Sequence, residues 1–135
     1  MLHKNAKIEL LKRVPLFAGC SKKELAKIAL LADELDLPEA REITRQGASG
    51  REFLVIAEGS ADVLRNGRVV NKLGPGDFFG EIALVTGQLR TAAVRTRGPA
   101  RVLVVEARAF RSLMSDVPQI QGKVLRELAA RIPHD

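Results

Sequence analysis

The chain has 135 residues, enough for one domain with a substantial core and too few for two. It is 46% hydrophobic and 28% charged, with five Phe and no Tyr or Trp. The core must therefore be aliphatic, and aromatic platforms for stacking single-stranded bases are nearly absent. The net charge of +6, from 22 Lys and Arg against 16 Asp and Glu, is spread along the chain. It reads first as solvated surface and second as a general attraction for an anionic ligand, not as a nucleic-acid-binding block.

The first third carries a helical period. In KNAKIELLKRV, Ile8, Leu11 and Val14 share one face with Leu10 beside them, and Pro15 ends the run. After the connector PLFAGC, Ser21 and Glu24 have the spacing of a capping box. Leu25, Ile28, Ala29 and Ala32 form the buried stripe of the helix that follows. The single Cys20 excludes an internal disulfide and a cysteine-built zinc site, and fits a reducing compartment. No signal peptide and no bilayer-length apolar run is visible, so a soluble, cytoplasmic protein away from membranes is expected.

From Glu34 the texture changes to strand-length runs separated by Gly, Pro or Asn: DELDLP, REITRQ, EFLVIAEG, ADVLRNG, RVVNKL, AAVRTRG and ARVLVVE. The Asn66-Gly67 pair suits a type I′ hairpin turn. After Glu106 the helical period returns in ARAFRSLMSD and PQIQGKVLRELAARI, with Pro118 at the first turn of the second segment. The expected fold class is α+β: an antiparallel, jelly-roll-like β-roll over 34–106, flanked by helices over 4–32 and by two C-terminal helices over 107–132.

One stretch does not fit a bland core. FGEIALVTGQLRTAAV, Phe79 to Val94, is mostly apolar yet contains Glu81 and Arg90. The preceding GPGDFFGE has glycines at 74, 76 and 80, which let the backbone turn sharply and approach a neighbour closely. It is not a dinucleotide fingerprint, because the spacing is wrong, Pro75 interrupts it and no βαβ unit surrounds it. EIALVTG is long enough for a short helix ended by Gly87. Its first N–H groups, around Gly80 to Ala83, would point outward with the positive end of the helix dipole, where a phosphate fits. Arg90 could add a planar fork for two phosphate oxygens, and Glu81 could accept hydrogen bonds from a sugar hydroxyl. Phosphate beside ribose is a nucleotide. A structural ion pair between Glu81 and Arg90 explains the same residues equally well.

The stretch resembles the phosphate-binding cassette of cyclic nucleotide-binding domains, roughly F-G-E-[LI]-A-L, a variable loop, then R-[ST]-A. The resemblance extends to VPLFAGCSKKEL as the N-terminal helical element, EFLVIAEGSADVLRNG as the central hairpin, and RAFRSLMSDVPQIQGKVLRELAARI as the B and C helices. It implies that Glu81 holds the ribose 2′-hydroxyl and Arg90 the cyclic phosphate. Thr91 would bond phosphate or base, and the backbone N–H groups of Gly80, Ile82 and Ala83 would face the phosphate. Val63 and Leu73 match positions lining the base and sugar pocket, a role that plain core would fill with the same side chains. Arg131, on the last turn of the final helix, is either a lid over the purine or a solvated cation at a helix C-terminus. The loop RQGASG, with Gln46, is not expected to touch ligand.

The implied ligand is cAMP, or cGMP, which Thr91 would help to accept; no other cofactor and no metal is implied. The implied behaviour is that of a sensor signalling through its C-terminal helix to an effector protein or a fused effector domain. A homodimer through that helix is a further expectation, since it mediates dimers in relatives. The rival from another class is a degenerate domain kept as a protein-interaction scaffold. A catalytic role has little to stand on, because the two histidines, His3 and His134, lie at opposite ends of the chain. No recognition helix for DNA follows the β-roll.

Overall fold

The structure is a computed structural model that describes residues 4–48, 51–80, 90 and 92–131. Two helices open the chain, α1 (Lys4–Lys12) and α2 (Lys22–Leu31), joined through a 3-10 turn at Pro15–Phe17. Pro15 cannot donate to α1 and so starts the tighter turn. The capping box is present: Ser21 Oγ accepts from the Glu24 N–H and Glu24 Oε1 accepts from the Ser21 N–H. Leu25, Ile28 and Ala29 face inward, as the 3.6-residue period requires.

Among the described residues, eight strands follow: β1 (Asp33–Leu37), β2 (Glu42–Thr44), β3 (Glu52–Glu58), β4 (Ala61–Arg65), β5 (Arg68–Leu73), β6 (Phe78–Phe79), β7 (Ala93–Thr96) and β8 (Ala100–Glu106). They form two four-stranded antiparallel sheets, ordered β1-β8-β3-β6 and β2-β7-β4-β5. The chain changes sheet at most connections, which makes a roll. The exception is the β4–β5 hairpin, where Asn66 at φ 54° and Gly67 at φ 79° give the two left-handed residues a type I′ turn needs. Two helices close the chain, α3 (Ala107–Asp116) and α4 (Pro118–Arg131), with proline at the first position of α4.

Side-chain parity on β3 and β8 divides the interior in two. Phe53, Val55 and Ala57 on β3, with Leu103 and Val105 on β8, face the helices and join Leu11, Phe17, Ile28, Phe110 and Ile120 in one core. Phe53 is its hub, stacked on Phe110 at 4.9 Å and meeting Phe17 edge-on at 5.7 Å. The alternate residues, Leu54 and Ile56 on β3 and Val102 on β8, face the inside of the roll and form a second cluster with Leu37, Ala61 and Val94. Buried on both faces, these strands read as continuous apolar runs.

Buried polar groups are met locally. Thr96 accepts from the Arg41 N–H at 2.8 Å and donates to the Pro38 carbonyl at 2.7 Å, pinning the β1–β2 turn onto β7. On the outside of the first sheet, Arg101 donates to Asp36 at 2.7 Å and to Glu58 at 3.3 Å, with Glu34 at 4.0 Å. The Arg101 hydrogen bond, followed by its charge, holds the Asp36 carboxyl below its ordinary value. A depressed carboxylate pKa stabilises the fold above the unfolded value of about 3.9, and that contribution is lost as pH falls through the folded value. Wild type is therefore expected to melt above Asp36→Asn at about pH 6, with a smaller gap at about pH 3, below the unfolded value. Thermal melts at both pH values check this, and an equal gap at the two would remove the charge pairing.

Candidate functional site

The turn leading into the apolar stretch is locked to β3. The Gly76 N–H donates to the Ile56 carbonyl at 2.8 Å, and the Ile56 N–H donates to the Asp77 carbonyl at 2.9 Å. Asp77 Oδ2 accepts from the Gly74 N–H at 2.7 Å. Of the three glycines, Gly76 (φ 89°) and Gly80 (φ 100°) use conformations closed to most side chains, whereas Gly74 does not. The short β6 then pairs with β3 at Val55↔Phe78 and Leu54↔Phe79.

Gly80 ends that pairing, and its backbone lies against two groups. A Cβ placed there would sit 2.5 Å from the Glu52 carbonyl oxygen and 2.6 Å from Nη1 of Arg90. Arg90 itself is 9% exposed, and its Nη2 donates to that same Glu52 carbonyl at 2.8 Å. The guanidinium thus takes up a β3 carbonyl two residues beyond the last β6 pair. That bond fixes the plane of the fork against β3.

The Arg90 backbone is held as firmly. Its N–H donates to the Ala48 carbonyl at 2.8 Å, and its carbonyl accepts from the Gly47 N–H at 2.8 Å. These two bonds continue the contact that β2 and β7 make at Thr44↔Val94. Both ends of Arg90 therefore rest on the connection between β2 and β3 or on its immediate continuation.

The inner cluster of the roll is edged by Val63 and Leu73, both half-buried. Val63 pairs across to Val94 and Leu73 to Ala61, so they stand on neighbouring strands of the second sheet. Gly80 and Arg90 are brought together by the fold, and Val63 and Leu73 share the roll interior. Glu81, Ile82, Ala83 and Thr91, together with the helix expected over EIALVTG, lie outside the described residues, as do His3 and His134. Arg131 closes the backbone of α4. No group of three or more His, Cys, Asp or Glu suited to a metal occurs among the described residues. Cys20 is half-buried, and its thiol pKa is raised, chiefly by burial, which works against a reactive thiolate. Among the described residues, no helix is long and apolar enough to cross a membrane.

The family model for the cyclic nucleotide-binding domain matches residues 34–117, more than half of the chain. The chain belongs to the cyclic nucleotide-binding domain family. The cAMP-dependent protein kinase regulatory subunit of Mycosarcoma maydis is 36% identical over 126 residues, covering 84% of this chain and 23% of the relative. The regulatory domain of Toxoplasma gondii PKA, solved with cAMP, is 30% identical with a TM-score of 0.78, over 92% of this chain and 50% of that one. The regulatory subunit of a cAMP-independent protein kinase A from Trypanosoma brucei shares the fold at a TM-score of 0.80 and 23% identity, over 94% of this chain and 44% of its own. This chain thus spans half or less of each of these relatives, and the shared fold does not by itself carry a ligand.

The residue positions that sequence reasoning missed are Glu52 and the Gly47–Ala48 pair. All three act through backbone atoms, which leave no signature in side-chain chemistry.

Proposed function

We propose that this domain is a cyclic nucleotide sensor, binding cAMP in preference to cGMP inside the β-roll and signalling through movement of α4. The observation that carries the reading is the buried Arg90, fixed by the Glu52 carbonyl against Gly80 at the edge of an apolar roll interior. A guanidinium held in this way presents a planar fork of N–H donors, the geometry that pairs with two phosphate oxygens. The cyclic phosphate would take the Arg90 fork and the N–H groups of Gly80, Ile82 and Ala83. Glu81 would take the ribose 2′-hydroxyl, Thr91 phosphate or base, and Val63 and Leu73 would flank the sugar and base. The T. gondii domain solved with cAMP supports the choice of ligand.

The output would be a population shift, with no chemistry on the ligand. Only a ligand that binds the closed state better than the open one can move α4. The first turn of α4 is anchored, with Ile120 in the helix-side core and Gln119 donating to Glu24 at 3.0 Å. Further along, Leu125 is 57% exposed and has apolar surface to bury on closure. Arg131 would then reach the purine face, and the shift would pass to an effector protein or fused domain in the cytoplasm.

Calorimetric titration of the purified chain with cAMP, then cGMP, tests this, after a check that no nucleotide has co-purified. The expected result is saturable binding with cAMP the tighter ligand; no heat from either would leave the domain as a protein-interaction scaffold. Glu81→Ala should weaken cAMP by about fivefold, the value of one hydrogen bond of about 1 kcal/mol. It should leave 2′-deoxy-cAMP unaffected, and equal losses for the two ligands would remove Glu81 from the ribose.

A further inference from the structure

Gln46 and Asn66 are twenty residues apart, both exposed, and bonded twice. The Asn66 N–H donates to Gln46 Oε1 at 2.8 Å, and Gln46 Nε2 donates to Asn66 Oδ1 at 3.0 Å. The first bond fixes the orientation of the amide, because a backbone N–H can only donate. Asn66 stands at the tip of the β4–β5 hairpin, in its left-handed turn. The residues that follow Gln46 are Gly47 and Ala48, whose backbone grips Arg90 on both sides. Gly47, at φ 85°, turns the chain between the amide clasp and that grip.

We infer that Gln46 is a positioning residue for Arg90: its amide ties the β2–β3 connection to the β4–β5 hairpin, and that connection holds the arginine in register with the phosphate site. The role rests on the cyclic nucleotide reading, since it concerns the aim of the phosphate-binding fork. Without the clasp, Gly47 and Ala48 would hold Arg90 from a connection whose nearest side-chain tie is gone. A fork that must be reordered on binding pays that ordering from its affinity. Gln46 does this without contact with the ligand.

The test uses the full chain and two readouts. In calorimetry, Gln46→Ala should lower cAMP affinity about three- to tenfold in wild type and no further in an Arg90→Ala background. Asn66→Asp, which keeps the Oδ1 acceptor and the backbone donor, should leave affinity unchanged. In hydrogen exchange without nucleotide, Gln46→Ala should speed the Gly47 and Arg90 amides about three- to tenfold and leave the β3–β8 amides as they are. The exchange arm needs no ligand, so a wild type that fails to bind cAMP overturns the functional reading alone. Unchanged exchange at Gly47 and Arg90, or an affinity loss of the same size in the Arg90→Ala background, would overturn the role of Gln46.

Discussion

Arg90→Ala is expected to lower cAMP affinity by about one to two orders of magnitude while leaving a folded domain. Hydrogen bonds to a charged group are each worth roughly 1.5–3 kcal/mol, and every 1.4 kcal/mol is a factor of ten. The substitution also frees the Glu52 carbonyl, at a cost to stability of about 1–3 kcal/mol if water does not replace the guanidinium. The measurement is therefore paired: calorimetry for affinity and a thermal melt for the fold. Arg90→Lys sharpens it. A lysine keeps the charge but offers a single ammonium in place of the planar fork, so it cannot hold the Glu52 carbonyl and two phosphate oxygens at once. Its affinity should fall between those of wild type and Arg90→Ala. Affinity unchanged in Arg90→Ala would mean that the guanidinium serves the β3 edge and not a ligand.

Much of this architecture is legible in the sequence because short-range chemistry decides it. Ser21 and Glu24 at capping-box spacing, Asn66-Gly67 at a two-residue hairpin and Pro118 at a helix start each require one local geometry, and each adopts it. The run FLVIA in β3 reads as a strand but conceals its parity. The same five apolar residues supply two separate cores, and which face each belongs to depends on helices far away in sequence. β6 is not legible as a strand, since its two residues sit inside what reads as the turn GPGDFFG. Its pairing with Leu54 and Val55 is imposed by the locked turn at Gly76 and Asp77.

At the site the division runs between side chain and backbone. Arg90 announces itself as a charge in an apolar stretch, and Gly80 as a glycine where the chain must turn. What holds the arginine does not announce itself. The Glu52 carbonyl could belong to any residue type, and the Gln46–Asn66 clasp joins two exposed polar residues that no period or motif connects. Such contacts arise from the roll's connectivity, which returns the β2–β3 connection to the hairpin tip.

Gly80→Ala should damage binding and stability together, which separates it from Arg90→Ala. At φ 100° an alanine is strained by roughly 1–3 kcal/mol before any contact is considered. Its Cβ would also fall 2.5 Å from the Glu52 carbonyl and 2.6 Å from Arg90 Nη1. The carbonyl cannot retreat easily, because Glu52 is paired with Glu106 across β3 and β8. The guanidinium can, and in moving it gives up its anchor. The expected cost is about 2–4 kcal/mol of stability, the sum of backbone strain and one lost hydrogen bond, with an affinity loss close to that of Arg90→Ala. The double variant decides whether the two residues act as one unit. With the guanidinium already absent, Gly80→Ala keeps its clash with the carbonyl but has no fork left to displace. It should then cost no further affinity and less stability than in wild type, a departure from additivity of roughly 0.5–3 kcal/mol. Additive losses in both measurements would mean that the close approach at Gly80 serves the backbone turn alone, and that Arg90 is aimed by the β2–β3 connection without it.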